Sequence, residues 1–547
     1  MSSTYNNAIG IPYILMSKAA GYPLAKYDWR PRTHQFSDPN GTSTASRILT
    51  KEEKERIMRQ LGCFARQLFG LRFPTIGSLI ESDEGYRIDE CLSPGHILQD
   101  RETIEELPRG PFRNEADYYS SLATALHLHA EQLPMGHHVL RAPVPVPEEY
   151  PNFTKYYTAT DRWNDFVTLG GMVDSSINRL QYCLVSHLLQ DSIIPRMVCP
   201  VSQSAPGFPL HHHDISLQNL FVDDDLNITC VIDWAFSSTV PPAQLLAPPG
   251  LPHPKDLVSD LSLIGAFRSG FEGENRKIGE YAVESCHWEV SQMIARFIRL
   301  VNLDALQDYN HLEALYVLAQ GSVTPGDDGN GTNSLPDILT AQVMARDALL
   351  LADKLAADDE PESEICRREK EYFDAVGAQR LALARKVTIA AKMNPGFVAD
   401  GRLWRWVDAI MECYDSTESD GLEELSTSKH VTSGLGVGKG SNGLLVTRSE
   451  DFEKDIDERI EATRSTDTYH CLSAMSHDSC SGEKPRRSFA NARELSRSLT
   501  NERYDICEDT MMADSSYSIS VSTVEGLVAR RLGISGQVCD LGGQDQR

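Results

Sequence analysis

The pattern of hydrophobic and polar positions divides the chain into three zones. Residues 11–254 mix short apolar runs with helical spacing, residues 255–415 show helical spacing alone, and residues 416–547 contain few aromatic positions. Short apolar runs bounded by turn residues predict strands, whereas apolar residues recurring every three to four positions predict helices. The pattern therefore predicts an α+β fold that continues into a helical region.

The first zone contains three segments with helical spacing, at 51–69, 114–133 and 174–190. Thr50 followed by Glu53 predicts a capping box at the start of the first helix. The apolar run at 12–16 predicts a buried strand that ends near Gly21. In the second zone, the same spacing predicts helices at 284–301, 336–355 and 363–391.

A β-hairpin is predicted at the end of the first zone. The apolar runs Leu220–Val222 and Ile228–Ile232 are β-prone and are separated by the polar residues 223–227. Two such runs joined by a polar turn are typical of a hairpin. A hairpin brings the residue before its first strand close to the residue after its second strand.

The third zone is rich in Ser, Thr, Gly, Asp and Glu. Such a segment buries too little apolar surface to offset its ordering entropy, so residues 416–547 are predicted to be a disordered tail. Gly438, Gly440 and Gly443 match a GxGxxG spacing within it. No strand is predicted ahead of them, so we interpret them as a flexible linker.

Charge and cysteine usage narrow the class of protein. The chain carries 52 basic and 78 acidic residues, a net charge of −26, which argues against nucleic-acid or membrane partners. No secretory signal or bilayer-spanning stretch is evident, so we expect a cytoplasmic protein. The 12 cysteines form no CxxC pair, which argues against structural zinc and against a disulfide framework.

The candidate chemistry lies at His212, Asp214, Asn219 and Asp233. Phosphoryl transfer needs a carboxylate to orient a hydroxyl and oxygen ligands to hold Mg²⁺ against nucleotide phosphates. We assign Asp214 as the catalytic base and expect His212 to hold the loop backbone. The hairpin places Asn219 and Asp233 at one end, where both can bind the metal. Any of these residues alone is equally typical of a turn.

Three adjacent histidines, His211, His212 and His213, raise the question of a zinc site. Side chains on an extended segment alternate between its faces. All three therefore cannot reach one ion, and we do not assign zinc there.

The order H-x-D-x-x-x-x-N, apolar strand, acidic turn and Ile232-Asp233-Trp234 resembles the aminoglycoside phosphotransferase and choline-kinase-like branch of the protein-kinase-like superfamily. Other segments resemble large fungal members of that branch: Phe73–Leu79, Arg109–Phe112 and Phe208–Leu210. The resemblance covers residues 9–310, with a core at 11–254. It implies a two-lobed fold with a mostly helical C-lobe, followed by a helical extension at 311–415.

The resemblance also implies where ATP would bind. Residues 10–16, followed by Gly21-x-Pro23-Leu24, resemble the linker between the lobes, so the backbone of Leu15, Met16 and Ser17 would meet adenine. Only about ten residues precede that linker. This is too few for the N-lobe sheet that carries a Gly-rich loop and a lysine, and the sequence reads as truncated there.

Three functions remain open from the sequence. The first is an ATP-dependent phosphotransferase acting on a hydroxyl of a small molecule. The second is a catalytically inactive kinase-like protein that binds a partner or nucleotide without turnover. The third is a metal-dependent hydrolase that uses the histidine and aspartate cluster.

Overall fold

A computed structural model describes residues 5–11, 17–29, 47–82, 85–199, 206–251, 257–258, 260–273, 283–320, 334–343, 346–394 and 396–412. The apolar run at 12–16 and the predicted tail at 416–547 lie outside these ranges. The described residues up to Arg405 belong to one compact unit, and residues 406–412 belong to a second. The description below concerns the first unit.

The fold mixes helix and sheet, with helix predominating. Ten strands are present among the described residues: β1 (Tyr22–Pro23), β2 (Tyr27–Asp28), β3 (Arg47–Ile48), β4 (Arg72–Phe73), β5 (Ser78–Ser82), β6 (Gly85–Asp89), β7 (Phe208–His211), β8 (Leu220–Val222), β9 (Ile228–Val231) and β10 (Ser238–Thr239).

The helices up to the middle of the chain are α1 (Lys51–Phe69), α2 (Pro94–Ile97), α3 (Glu115–Gln132), α4 (Phe153–Thr168), α5 (Ser176–Leu188), α6 (Ile194–Met197) and α7 (Pro242–Leu245). Those that follow are α8 (Leu261–Glu272), α9 (Ser285–Val301), α10 (Asp308–Gln320), α11 (Leu335–Val343), α12 (Arg346–Ala356), α13 (Glu362–Val376), α14 (Ala378–Met393) and α15 (401–412).

The predicted helices of the first zone are confirmed. Helix α1 begins with the predicted capping box, in which Thr50 and Glu53 bond each other's backbone N–H groups. Helix α3 has Asn114 as its N-cap. Helix α5 continues through a π-helical turn at Leu189–Ile193 into α6. This wider turn accommodates Pro195, which has no backbone N–H to donate to a regular α-helical hydrogen bond.

The described part of the second zone consists of helices joined by short loops, but one predicted helix was wrong. The helix predicted at 336–355 corresponds to α11 and α12, and residues 344–345 between them lie outside the described residues. The single helix predicted at 363–391 is two helices, α13 and α14, which meet at Gly377 with a φ of 103°. A residue at that φ cannot continue a right-handed helix. The predicted boundary at residue 310 falls inside α10.

All neighbouring strands are antiparallel in both larger sheets. The order of the five-stranded sheet is β4-β7-β10-β5-β6, and that of the three-stranded sheet is β1-β8-β9. The predicted hairpin is confirmed as β8 and β9, with Leu220 opposite Val231. Strand β1 pairs with the other edge of β8, with Tyr22 opposite Val222. The hairpin is therefore held on both sides of its first strand.

Two apolar cores are important for the site. The main helical core joins α3, α5, α9, α10, α11 and α12, and its large buried residues include Tyr119, Leu126, Tyr182, Ile294 and Phe297. The site core joins α1, α8, the hairpin and the chain between β7 and β8, through Leu61, Leu217, Leu220, Trp234 and Phe267. The loop and the hairpin that carry the candidate residues therefore pack on the site core.

Helices α1 and α8 meet at two glycines. A Cβ on Gly62 would overlap the carbonyl oxygen of Phe267, and one on Gly270 would overlap the carbonyl oxygen of Arg59. The Cys63 thiol also donates a hydrogen bond to the Gly270 carbonyl at 3.3 Å. The close backbone approach thus depends on the absence of side chains at both positions.

We predict that Gly270→Ala lowers the free energy of unfolding by about 2–3 kcal/mol, because the methyl group forces the two helices apart. The matched control is Gly265→Ala in the same helix, where an added Cβ meets nothing within 4 Å. That substitution should raise the free energy by about 0.5–1 kcal/mol through helix propensity. Urea denaturation measures both, and equal effects would contradict the proposed contact.

Candidate active site

The loop that carries the candidate residues runs from the end of β7 to the start of β8. Its apolar residues Ile215 and Leu217 are buried in the site core. The backbone N–H of Ala25 donates to the Leu217 carbonyl at 2.9 Å, and that of Leu220 donates to the Ser216 carbonyl at 3.2 Å. The loop is thus fixed by both burial and backbone hydrogen bonds.

His212 ties this loop to the segment after the hairpin. Its Nδ1 accepts a hydrogen bond from the backbone N–H of Asp214 at 3.1 Å, so its Nε2 carries the proton that it donates to the Ile232 carbonyl at 3.0 Å. Burial lowers the pKa of His212 to about 4, although the hydrogen bond to Ile232 and the charge of Asp233 oppose this. The ring is therefore neutral at pH 7 and serves as a structural bridge.

Asp214 and Asn219 are in direct contact. The Asn219 amide nitrogen donates to the Asp214 carboxylate oxygen Oδ2 at 2.8 Å and to the Asp214 backbone carbonyl at 3.0 Å. Because the amide nitrogen makes both contacts, the amide oxygen is left to act as a metal ligand. Asn219 is buried, whereas Asp214 is partly exposed. The carboxylate is therefore oriented and still accessible to a substrate.

Asp233 reaches the same end of the hairpin. The backbone N–H of Ile232 donates to the Asn219 carbonyl at 3.0 Å, which extends the ladder by one step and places Asp233 next. Asp233 has a φ of +62°, in the left-handed region. This conformation costs a non-glycine residue about 1 kcal/mol or more, and such residues cluster at functional sites.

Trp234 packs between His212 and helix α1. Its ring lies 4.8 Å from the His212 ring and 6.1 Å from the Phe64 ring on α1, measured between centroids. Its indole N–H donates to the Val231 carbonyl at 3.2 Å. The side chain is 5% exposed. Trp234 therefore connects the histidine bridge to the packed pair α1 and α8.

The three adjacent histidines separate as predicted. The His211 and His213 rings meet edge to face at 4.8 Å, whereas His212 packs on Trp234. His213 is hydrogen-bonded to the Ser238 hydroxyl at 2.7 Å. Their side chains are thus used in contacts with the protein itself.

The residues predicted to meet adenine are only partly described. Leu15 and Met16 lie outside the described residues, and Ser17 is exposed ahead of β1. Thr229 on β9 donates a hydrogen bond to the Ala20 carbonyl at 2.6 Å. The chain after Ser17 therefore reaches the hairpin.

Known proteins do not identify this chain. No family model, curated protein or solved structure matches it. None of the described helices is long and apolar enough to cross a membrane.

One group of side chains was missed by the sequence reasoning. Cys199, Cys286 and His287 bring their potential ligand atoms within 4.8 Å of one another. The only local signal is the adjacent Cys286-His287 pair, because Cys199 is distant in the sequence. The absence of a CxxC pair was therefore too narrow a criterion for the metal-binding potential of this chain.

The buried state of His212 predicts a pH dependence of stability. Between pH about 6.5 and 4, the unfolded chain binds a proton at this position that the folded protein does not. The free energy of unfolding therefore falls as pH falls through this window, by about 2 kcal/mol at pH 5 from this residue. His212→Asn should flatten the pH dependence by that amount in urea denaturation at pH 7 and pH 5.

The control for this measurement is the interval from pH 7 to pH 8, where His212 is largely neutral in both the folded and the unfolded chain. Over that interval, the unchanged protein and His212→Asn should show the same pH dependence. If His212→Asn keeps the fall in stability between pH 7 and pH 5, the neutral bridge is not the group that titrates.

Proposed function

We propose that this chain is a magnesium-dependent phosphotransferase of the aminoglycoside phosphotransferase and choline-kinase-like type, transferring the γ-phosphoryl group of ATP to a hydroxyl of a small molecule. The observation that carries the proposal is the Asp214 carboxylate held at 2.8 Å by the Asn219 amide, with Asp233 placed beside them by the hairpin. These residues supply the catalytic base and the magnesium ligands that phosphoryl transfer uses.

Asp214 has the role of catalytic base. Its carboxylate is oriented by Asn219, and its backbone N–H is held by His212. A carboxylate fixed in this way can accept a hydrogen bond from an acceptor hydroxyl and take up its proton as the oxygen attacks phosphorus. Because the loop is anchored through Ala25 and Leu217, little reorganisation is needed at that step.

Asn219 and Asp233 fit Mg²⁺ by their donor atoms. The available ligands are a carboxylate and an amide oxygen, which are the hard oxygen donors that Mg²⁺ prefers. When bound, the ion neutralises charge on the nucleotide phosphates. The left-handed conformation of Asp233 turns the chain directly after β9. We propose that this turn directs the carboxylate toward the phosphates.

The adenine would lie near the backbone of residues 15–17, in keeping with the sequence resemblance. The described part of that region supports the proposal through Ala20, which is joined to Thr229 on the hairpin. The hairpin also carries Asp233.

We predict that Asp214→Asn lowers kcat by at least about 100-fold while leaving ATP affinity nearly unchanged, because it removes the base but keeps the hydrogen-bonding shape. Phosphoryl transfer from radiolabelled ATP to a panel of sugars, amino alcohols and aminoglycosides measures the rate. Titration calorimetry measures nucleotide binding. The matched control is Asp225→Asn, an exposed carboxylate in the turn of the same hairpin.

The outcomes separate the possible functions. Turnover lost in Asp214→Asn and kept in Asp225→Asn supports the phosphotransferase. Binding of Mg²⁺–ATP without turnover on any acceptor would instead indicate a nucleotide-binding protein. A zinc-stimulated hydrolysis that survives Asp214→Asn would contradict the assignment of Asp214.

We also predict that Asp233→Asn raises the Mg²⁺ concentration for half-maximal activity by about tenfold or more, because one carboxylate ligand is lost. Asn tolerates the left-handed conformation, so the fold should be retained. Activity is measured against Mg²⁺ at saturating ATP, and circular dichroism checks folding. An unchanged Mg²⁺ requirement would exclude Asp233 as a ligand.

A further inference from the structure

Cys199, Cys286 and His287 form a cluster outside the proposed active site. Cys199 follows the end of α6, and the other two residues lie in the first turn of α9. One sulfur from each cysteine and one ring nitrogen of the histidine all lie within 4.8 Å of one another. Around a tetrahedral zinc ion, ligand atoms are separated by roughly 3.5–3.8 Å. The cluster therefore needs only a small contraction to hold one ion.

Burial sets this cluster apart from an ordinary surface group. Cys199 is 6% exposed and His287 is 4% exposed. The Nδ1 atom of His287 is buried and has no hydrogen-bond partner among the described residues. Leaving a buried polar atom unpaired costs about 1–3 kcal/mol. A metal ligated by the ring would remove that cost.

Two carboxylates near the cluster, those of Glu115 and Glu284, favour a bound cation. Helix α9 begins at Ser285, so the positive end of its dipole lies at Cys286 and stabilises negative charge there. The Cys286 thiol contacts the Cys199 thiol and, at 4.0 Å, a Glu284 carboxylate oxygen. Glu115, in the first turn of α3, accepts a hydrogen bond from the Cys199 backbone. Its Oε2 is buried without a partner among the described residues.

We propose that Cys199, Cys286 and His287 bind one zinc ion, with water in the fourth position and the Glu115 carboxylate as acceptor for that water. Two thiolates and an imidazole are a donor set typical of zinc. Binding releases the two thiol protons to solvent, and no oxidation or reduction occurs.

The site would join three separate parts of the fold. Cys199 lies ahead of β7, the strand that leads into the Asp214 loop, while Cys286 and Glu115 begin helices that contribute to the main helical core. A metal there would anchor these helix ends to one another. Its role is structural and does not depend on the proposed phosphotransferase activity.

Co²⁺ added to the purified full-length chain, stripped of metal under reducing conditions, tests the site directly. We expect a thiolate-to-cobalt charge-transfer band and the intense visible bands of a tetrahedral centre, and we expect stoichiometric Zn²⁺ to abolish both. Cys199→Ser should weaken Co²⁺ binding by roughly 100-fold or more, since even outer-shell changes cost 10- to 100-fold. The matched control, Cys366→Ser, replaces an exposed cysteine on α13 and should leave the spectrum unchanged.

Three results would overturn the proposal. The first is the absence of charge-transfer bands although mass spectrometry finds both thiols free and reduced. The second is a Cys199–Cys286 disulfide in protein purified with alkylation at lysis, which would make the pair a covalent link. The third is a cobalt spectrum that persists in Cys199→Ser. Because the unchanged protein gives the first two readouts, the test does not depend on the folding of a variant.

Discussion

The proposed active site depends on one neutral imidazole. His212 accepts from the Asp214 backbone and donates to the Ile232 carbonyl, so a single ring joins the loop before the hairpin to the segment after it. Both hydrogen bonds require a singly protonated ring, and burial in the site core enforces that state. Without this bridge, the Asp214 backbone would lose its side-chain link to the segment that carries Asp233.

The bridge is supported by packing that extends away from the site. Trp234 contacts His212 on one side and Phe64 of α1 on the other. Helix α1 is in turn held against α8 through Gly62 and Gly270, where the backbones approach too closely for side chains. The packed pair α1 and α8 therefore supports the loop through Trp234 and His212. The positions of the site residues are determined by this close packing as well as by the loop sequence.

The proposed zinc cluster would extend this arrangement to the opposite end of β7. Strand β7 lies inside the five-stranded sheet, paired with β4 and β10, and leads directly into His212. Cys199 precedes that strand, and Cys286 begins α9. Strand β7 would then have a metal site before it and the His212 bridge directly after it. Such anchoring reduces the freedom of the loop that must orient the Asp214 carboxylate.

The sequence by itself predicted three helices of the first zone, the hairpin and the candidate residues of the site. The periodicity placed α1, α3 and α5 to within a few residues, and the polar turn between apolar runs fixed the hairpin, because these features depend on short-range side-chain patterning. Tertiary structure decided what lies far apart in the chain: the glycine contact of α1 with α8, the break at Gly377, and the meeting of Cys199 with Cys286. Such contacts follow from how whole elements pack, which no local pattern encodes.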